Sequence, residues 1–156
     1  MELLKLYAQL LLTVDGFWFM GMEKAKGVDD AIKFDKEVWR QFGVLEANRM
    51  KKFAGMDSIT TVEDVCKIVL LSPMWVSVGP NAEIQNGRCF LSVTNCHPQK
   101  ARIRQSLGEF PCKSVGAAYF EGFAPALNPN LKYRCVFCPP DQHPENEWCK
   151  WEVGWF

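Results

Sequence analysis

Near Pro73 the apolar residues change their spacing from the period of a helix to the period of a strand, and this switch restricts the chain most. It calls for a helical first half and a strand-bearing second half. Over residues 2–19, Leu3, Tyr7, Leu10, Leu11, Val14, Phe17 and Trp18 recur at helical spacing. Asp29 and Asp30 place acceptors where a second helix begins, and its stripe of Ala31, Phe34, Val38 and Phe42 runs to Gly43. A third short helix is expected from about Leu45 to Ala54, stopped by Gly55. Thr61 with Asp64 forms a capping-box variant that opens a fourth helix, with Val62, Val65, Cys66, Val69 and Leu70 on one side. Pro73 ends it.

Beyond Pro73, Met74-Val76-Val78 and Cys89-Leu91-Val93 alternate with more polar neighbours, and Asn86-Gly87 between them signals a hairpin turn. Pro80 makes the first arm irregular or puts it at an edge. Pro98 opens a basic helix with Lys100, Arg102 and Arg104 outward, Ile103 and Leu107 inward, and Gly108 as its stop. Residues 113–124 form another helix with the stripe Val115, Tyr119 and Phe123, which Pro125 ends or kinks. A last hairpin puts Tyr133, Cys135 and Phe137 on one strand face and Cys149, Trp151 and Val153 on the other strand's face, joined by the Pro-rich loop 139–146. The expected class is α+β: N-terminal helices, an antiparallel hairpin, two helices, and a C-terminal hairpin with a cysteine cluster. A chain of 156 residues without a linker or repeat reads as one domain, helical over 1–72 and hairpin–helix–hairpin over 73–156.

Eighteen basic and eighteen acidic residues cancel, so no electrostatic footprint for nucleic acid is expected. The N-terminus, Met1-Glu2-Leu3-Leu4-Lys5, lacks the pattern of a signal peptide, and no run approaches the roughly 18 apolar residues of a membrane span. No membrane partner is therefore expected. Seven cysteines without a secretory signal favour a reducing compartment, the cytoplasm, where clustered thiols serve as ligands or catalysts. Six Trp residues supply more aromatic surface than a small core obviously needs, so Tyr7, Phe17, Trp18 and Trp39 are candidates for a homodimer interface.

The cysteines carry the chemistry. Cys135-Val136-Phe137-Cys138 is a Cys-x-x-Cys unit, and Cys149 follows on the returning strand, facing the same way as Cys135. Cys112 precedes a helix whose dipole favours its thiolate. Thiolates gathered in one small volume repel one another unless a cation neutralises them. Cys112, Cys135, Cys138 and Cys149 are thus the expected metal ligands, with zinc as the metal. Cys138-Pro139 is also compatible with the Cys-Pro of ferredoxin-type sites, which keeps a [4Fe-4S] cluster as the alternative. Cys66 and Cys89 sit on apolar stripes and read as buried, inert thiols.

Cys96 is then the thiol left over, free for a ligand or for chemistry, beside His97 in sequence. Cys96, His97, Trp18 and Tyr119 are the candidate ligand-binding residues, for a small hydrophobic or thiol-reactive molecule. A nucleophile at Cys112 or Cys96, with His97 or His143 as base, would make a thiol hydrolase, but no spacing fixes such a contact. Phosphate loops, dinucleotide fingerprints, metalloprotease motifs and nucleophile elbows are absent from the sequence. The reading is a metal-containing sensor or accessory domain that binds a small molecule. Alternatives are a cysteine-dependent hydrolase of a small amide or cyclic substrate, and an iron–sulfur electron-transfer protein.

Several segments together resemble a family of small bacterial cysteine-rich proteins of uncharacterised activity. They are Asp15-Gly16-Phe17-Trp18-Phe19, Glu37-Val38-Trp39, Glu46-Ala47-Asn48-Arg49, Asn95-Cys96, Phe110-Pro111-Cys112-Lys113, Cys135-x-x-Cys138-Pro139-Pro140-Asp141 and Trp148-Cys149-Lys150-Trp151-Glu152. More distantly, the ending Cys149-Lys150-Trp151-Glu152-Val153 is similar to that of 4-vinyl-reductase-type domains and of 2-amino-thiazoline-4-carboxylic acid hydrolase-like proteins. The first resemblance implies a small α+β domain that binds hydrophobic ligands and dimerises through N-terminal helices. The second implies a cysteine-dependent hydrolase. The loop at Pro139-Pro140-Asp141 is longer than those families carry.

Overall fold

Gly27, with φ of 89°, is the single residue between two long helices, α1 (Glu2–Lys26) and α2 (Val28–Phe53). Only a residue without Cβ reverses the chain so tightly at no steric cost. The computed structural model describes residues 2–156, so Met1, the start of the expected leaderless terminus, lies outside the described residues. The chain continues through α3 (Val62–Leu71), α4 (Pro73–Val78), β1 (Pro80–Gln85), β2 (Arg88–Val93), α5 (His97–Arg104), α6 (Lys113–Leu127), β3 (Lys132–Phe137) and β4 (Cys149–Gly154). The fold is α+β, with helices first and a four-stranded antiparallel sheet in the order β1-β2-β4-β3.

Helix α2 runs unbroken through Gly43, where the sequence suggested a stop and a separate helix over 45–54. Gly43 is a contact glycine. A Cβ there would run into the carbonyl oxygen of Tyr119, and one at Gly122 into that of Arg40, so α2 and α6 pack backbone against backbone. The same contact redraws the stripe of α2. Its buried side holds Ala31, Asp35, Gly43, Glu46 and Ala47, while Phe34 and Val38 face outward. Buried Glu46 accepts from Ser72 Oγ and Tyr119 OH, both at 2.7 Å. That tertiary pairing overrides the hydrophobic period.

Helix α3 begins where the capping residues predict, with Thr61 Oγ1 accepting from the Asp64 amide at 3.2 Å. Pro73 ends it but also opens α4, because proline fits the first helical position and Ser72 caps it. The residues expected as a strand over 74–78 are therefore helical. Gly79, left-handed with φ of 61°, stops α4, and β1 starts at Pro80 as the sheet's edge strand. The hairpin turns at Asn86-Gly87, both with positive φ, as expected. Disulfide-bonded Cys66 and Cys89 join α3 to β2, so they are not the inert thiols their stripes suggested.

In α5 Arg102 is buried, and Ile103 and, beyond the helix, Leu107 are about half exposed, the reverse of expectation. Arg102 donates to both carboxylate oxygens of Glu23 on α1, at 2.6 and 3.1 Å, and lies over the Phe110 ring. Helix α6 continues past Pro125 to Leu127; so near the end, the missing amide disturbs only the last turn.

The helix-facing side of the sheet is set by register. Cys89 opposes Val153, Leu91 opposes Trp151, and Val93 opposes Cys149, while on β3 Tyr133 opposes Val153 and Cys135 opposes Trp151. Phe120 of α6 stacks on Tyr133 and packs against Trp151, closing the core. Outside this core, α1 leaves Leu4, Tyr7, Val14, Phe17 and Trp18 more than half exposed. By length and composition α1 is apolar enough to cross a membrane, although charged residues such as Lys5 and Asp15 interrupt it and no unbroken run approaches the span expected of one.

Candidate metal centre and an adjoining cavity

The cysteine cluster is assembled by strand register and by one latched loop. Cys135 stands on β3, and an irregularity in the β3–β4 pairing between Cys135 and Phe137 turns the chain before Cys138. The loop after Cys138 is held to the start of α6. Lys113 donates its amide to the Pro139 carbonyl at 2.9 Å, and its ammonium pairs with Asp141 at 2.8 Å. Asp141 N donates to the Cys138 carbonyl at 2.9 Å. The latch carries Cys112, which immediately precedes α6, to Cys138: the two Sγ atoms are 3.5 Å apart. Cys149 arrives from the other side, opposite Val93, after Trp148 N bonds the Val93 carbonyl at 2.8 Å.

Cys138 is the centre of this group. It is buried, and hydrogen bonds with Cys112, Cys135 and Cys149 all hold its thiol well above the ordinary range. Its proton in turn pulls Cys112 and Cys135 below theirs. Cys112 also accepts from Gln99 Nε2 at 3.4 Å, and Gln99 is fixed by two 2.7 Å bonds to the Phe110 backbone. Four sulfurs thus share protons around one of them. Among the described residues, however, no group of three or more His, Cys, Asp or Glu side chains stands ready-formed around a metal position. Cys96 lies at the rim, where burial pushes its thiol up to about 12 and the charges of Cys112 and Cys149 add to the shift.

Neither histidine is hydrogen-bonded to a thiol among the described residues. His97 points to α1, 2.9 Å from Gln9 Nε2, and His143 meets the Pro144 carbonyl at 3.0 Å and Glu109 at 3.5 Å. The four candidate ligand-binding residues are also separated. Tyr119 is in the core with its hydroxyl on Glu46. Trp18 is 77% exposed and lines a shallow apolar hollow on α1 with Val14, Phe17 and Gly21. Of the four, His97 alone lines the more enclosed cavity between α1, α2 and α5, a space of about 480 Å³.

That cavity holds two residues the sequence reading passed over. Asp15 of α1 and Asp35 of α2 both line it. Burial raises Asp15 to about 6, against a hydrogen bond from Trp39 that lowers it. Burial, and then the charge of Asp15, raise Asp35 to about 7. One signal was legible: Asp15 interrupts an otherwise apolar run, Leu10-Leu11-Leu12-Thr13-Val14, just before Gly16-Phe17-Trp18-Phe19.

Compared with known proteins, the chain matches over residues 1–155 the model of a family described as a family of unknown function, DUF6125. No curated protein and no solved structure matches it.

Proposed function

This chain belongs to that family of unknown function, and since membership names no activity, we propose from its own residues a metal-containing, small-molecule-binding sensor or accessory domain. Cys112, Cys135, Cys138 and Cys149 hold one structural zinc ion. The observation that carries this is the 3.5 Å approach of the Cys112 and buried Cys138 sulfurs, with Cys135 and Cys149 brought alongside by the β3–β4 hairpin. Such a group of sulfurs is stable only if protons or a cation screen them, and zinc does so more strongly than shared protons. A zinc ion about 2.3 Å from each sulfur needs sulfurs just under about 4 Å apart. The 3.5 Å from Cys112 to Cys138 is close to that spacing. An iron–sulfur cubane holds its cysteine sulfurs farther apart, so the geometry supports zinc over the [4Fe-4S] alternative. The five free cysteines suit a reducing cytoplasmic setting, and the Cys66–Cys89 disulfide counts against it.

One observation favours a second reading, a cysteine-dependent hydrolase similar to the 2-amino-thiazoline-4-carboxylic acid hydrolase-like proteins: the Cys112 thiol is pushed below its ordinary range. The cause is chiefly its bond from Cys138, a ligand-type neighbour, and no histidine stands by as base. The distant resemblance to 4-vinyl-reductase-type ligand-binding domains suits a sensor with a cavity.

The deciding experiment is native mass spectrometry with elemental analysis after metal-replete, anaerobic expression. About one zinc per chain is expected. Metal-free protein overturns the reading, and a brown protein with several irons per chain replaces it by electron transfer. Rapid single-site alkylation of Cys112 with metal bound would favour the hydrolase.

A further inference from the structure

We propose that the cavity between α1, α2 and α5 binds a small organic ammonium ion, a protonated amine with an apolar body, between the carboxylates of Asp15 and Asp35. This rests on the small-molecule half of the function above and is independent of the metal.

The space, about 480 Å³, falls in the range that takes a small organic ligand. Its walls are apolar, with Leu6, Leu12, Phe19, Met20 and Phe110 among them. Two carboxylates from different helices open into it, and Asp35 is nine-tenths buried. Among the described residues, the side-chain donor that lowers both is Trp39, an indole with a single N–H for two carboxylates. Buried acceptors with so few donors need a proton or a cation. The raised carboxyls of Asp15 and Asp35 are the proton solution, and an ammonium ion, with three donors, is the ligand solution.

The other charged groups at the cavity do not take that role. Arg102 of α5 is paired with Glu23 of α1, so its charge is already met inside the cavity. Arg104 of α5 lines the rim, and His97 is turned to Gln9. An anion would meet two carboxylates, and among the described residues no third His, Cys, Asp or Glu joins them to hold a metal ion. Buried Arg102 Nε has no partner, which leaves one donor for an acceptor on the ligand's far end.

The test is calorimetric titration of the full, zinc-loaded chain with three isosteric probes: 2-phenylethylamine, 2-phenylethanol and phenylacetate. The amine is expected to bind about tenfold or more tighter than the alcohol, with no binding of the acid, as a charge-assisted contact requires. Asp15→Asn and Asp35→Asn should each weaken the amine by about tenfold and leave the alcohol and the zinc content unchanged. Binding should release protons to the buffer, because the ammonium ion displaces those held by Asp15 and Asp35. Equal affinity for amine and alcohol overturns the proposal. So does undiminished amine binding in both variants, or no amine binding at millimolar concentration. Because zinc is measured on the same samples, loss of the metal reading is seen separately.

Discussion

The Sγ atoms of Cys112 and Cys138 approach to 3.5 Å although 26 residues separate them in the chain, and the Lys113–Asp141 latch holds them there. Cys96, by contrast, stands at the rim of the cluster. Alanine at Cys112 should therefore abolish zinc binding, and alanine at Cys96 should leave it intact. Metal analysis of the two purified variants checks this. Loss only in the Cys96 variant would reverse the assignment. Because metal binding is also folding free energy, Cys138→Ser should lower the melting temperature far more than Cys96→Ala.

Gly43 and Gly122 make the α2–α6 contact possible, and each has backbone oxygen where a Cβ would stand. Gly122→Ala should destabilise by about 3 kcal/mol or more, because backbone must move to admit the methyl group. Gly21 on α1 has open space around it, so Gly21→Ala should stabilise by about 0.5–1 kcal/mol through helix propensity alone. Urea unfolding midpoints separate the two cases.

The same glycines show why parts of the sequence were legible and others were not. Periods and caps are local, and they located α3, α6, the Asn86-Gly87 turn and both strands of the C-terminal hairpin. Whether a glycine ends a helix or touches another one depends on a partner some eighty residues away, as at Gly43 and Tyr119. Pro73 carried two meanings, a stop for α3 and a start for α4, and only the second was missed. Buried charge was hidden for the same reason. Arg102 reads as outward-facing until Glu23 is seen beside it, and Asp35 and Glu46 lie off the apolar stripe expected for α2 until the burial of both is seen. Alternation on a strand fixes that Cys135 and Cys149 share a sheet face, whereas no local signal fixes the approach of Cys112 to Cys138.

Asp15 and Asp35 should give the protein an unusual pH response. Their folded values, about 6 and about 7, lie above the unfolded value of 3.8, so between these limits the folded state holds more protons. Stability then falls as pH rises through about 4 to 7, with the contribution fully present below that window. Glu46, also raised by burial, adds in the same direction. Asp35→Asn should be more stable than the parent at pH 8, on the order of a few kcal/mol, and similar to it at pH 4. Urea titrations at the two pH values measure this. A parent protein that gains stability steadily up to pH 8 would contradict the raised values.

Cys66 and Cys89 are paired, while Cys96, Cys112, Cys135, Cys138 and Cys149 are free. Alkylation in denaturant with a chelator should modify five cysteines, the free set, and prior reduction should raise the number to the full seven. Intact mass reads both numbers directly. Closing a loop across 23 residues should contribute about 3 kcal/mol, so a Cys66→Ala, Cys89→Ala double variant should unfold at lower urea concentration. Seven thiols modified without reduction would remove the bond from the description of α3 and β2.

The outer faces of α1 and α2 remain to be covered. Leu4, Tyr7, Phe17 and Trp18 on α1 and Phe34 and Val38 on α2 are each more than half exposed. We propose that a second copy of the chain covers them. The patch belongs to two adjoining helices, so a twofold pairing would bring like surface to like surface without leaving an open end. Trp39, also expected at such an interface, is half-buried and packs one side against Phe42 and Tyr119. Light scattering at micromolar concentration should give twice the 17.8 kDa chain mass. A paired Phe17→Ser and Trp18→Ser variant should return it to the monomer while keeping its zinc, since neither residue touches the cysteine cluster. A monomeric parent protein rejects the dimer. If that monomer also sediments with phosphatidylcholine vesicles, a lipid surface takes the place of the second copy.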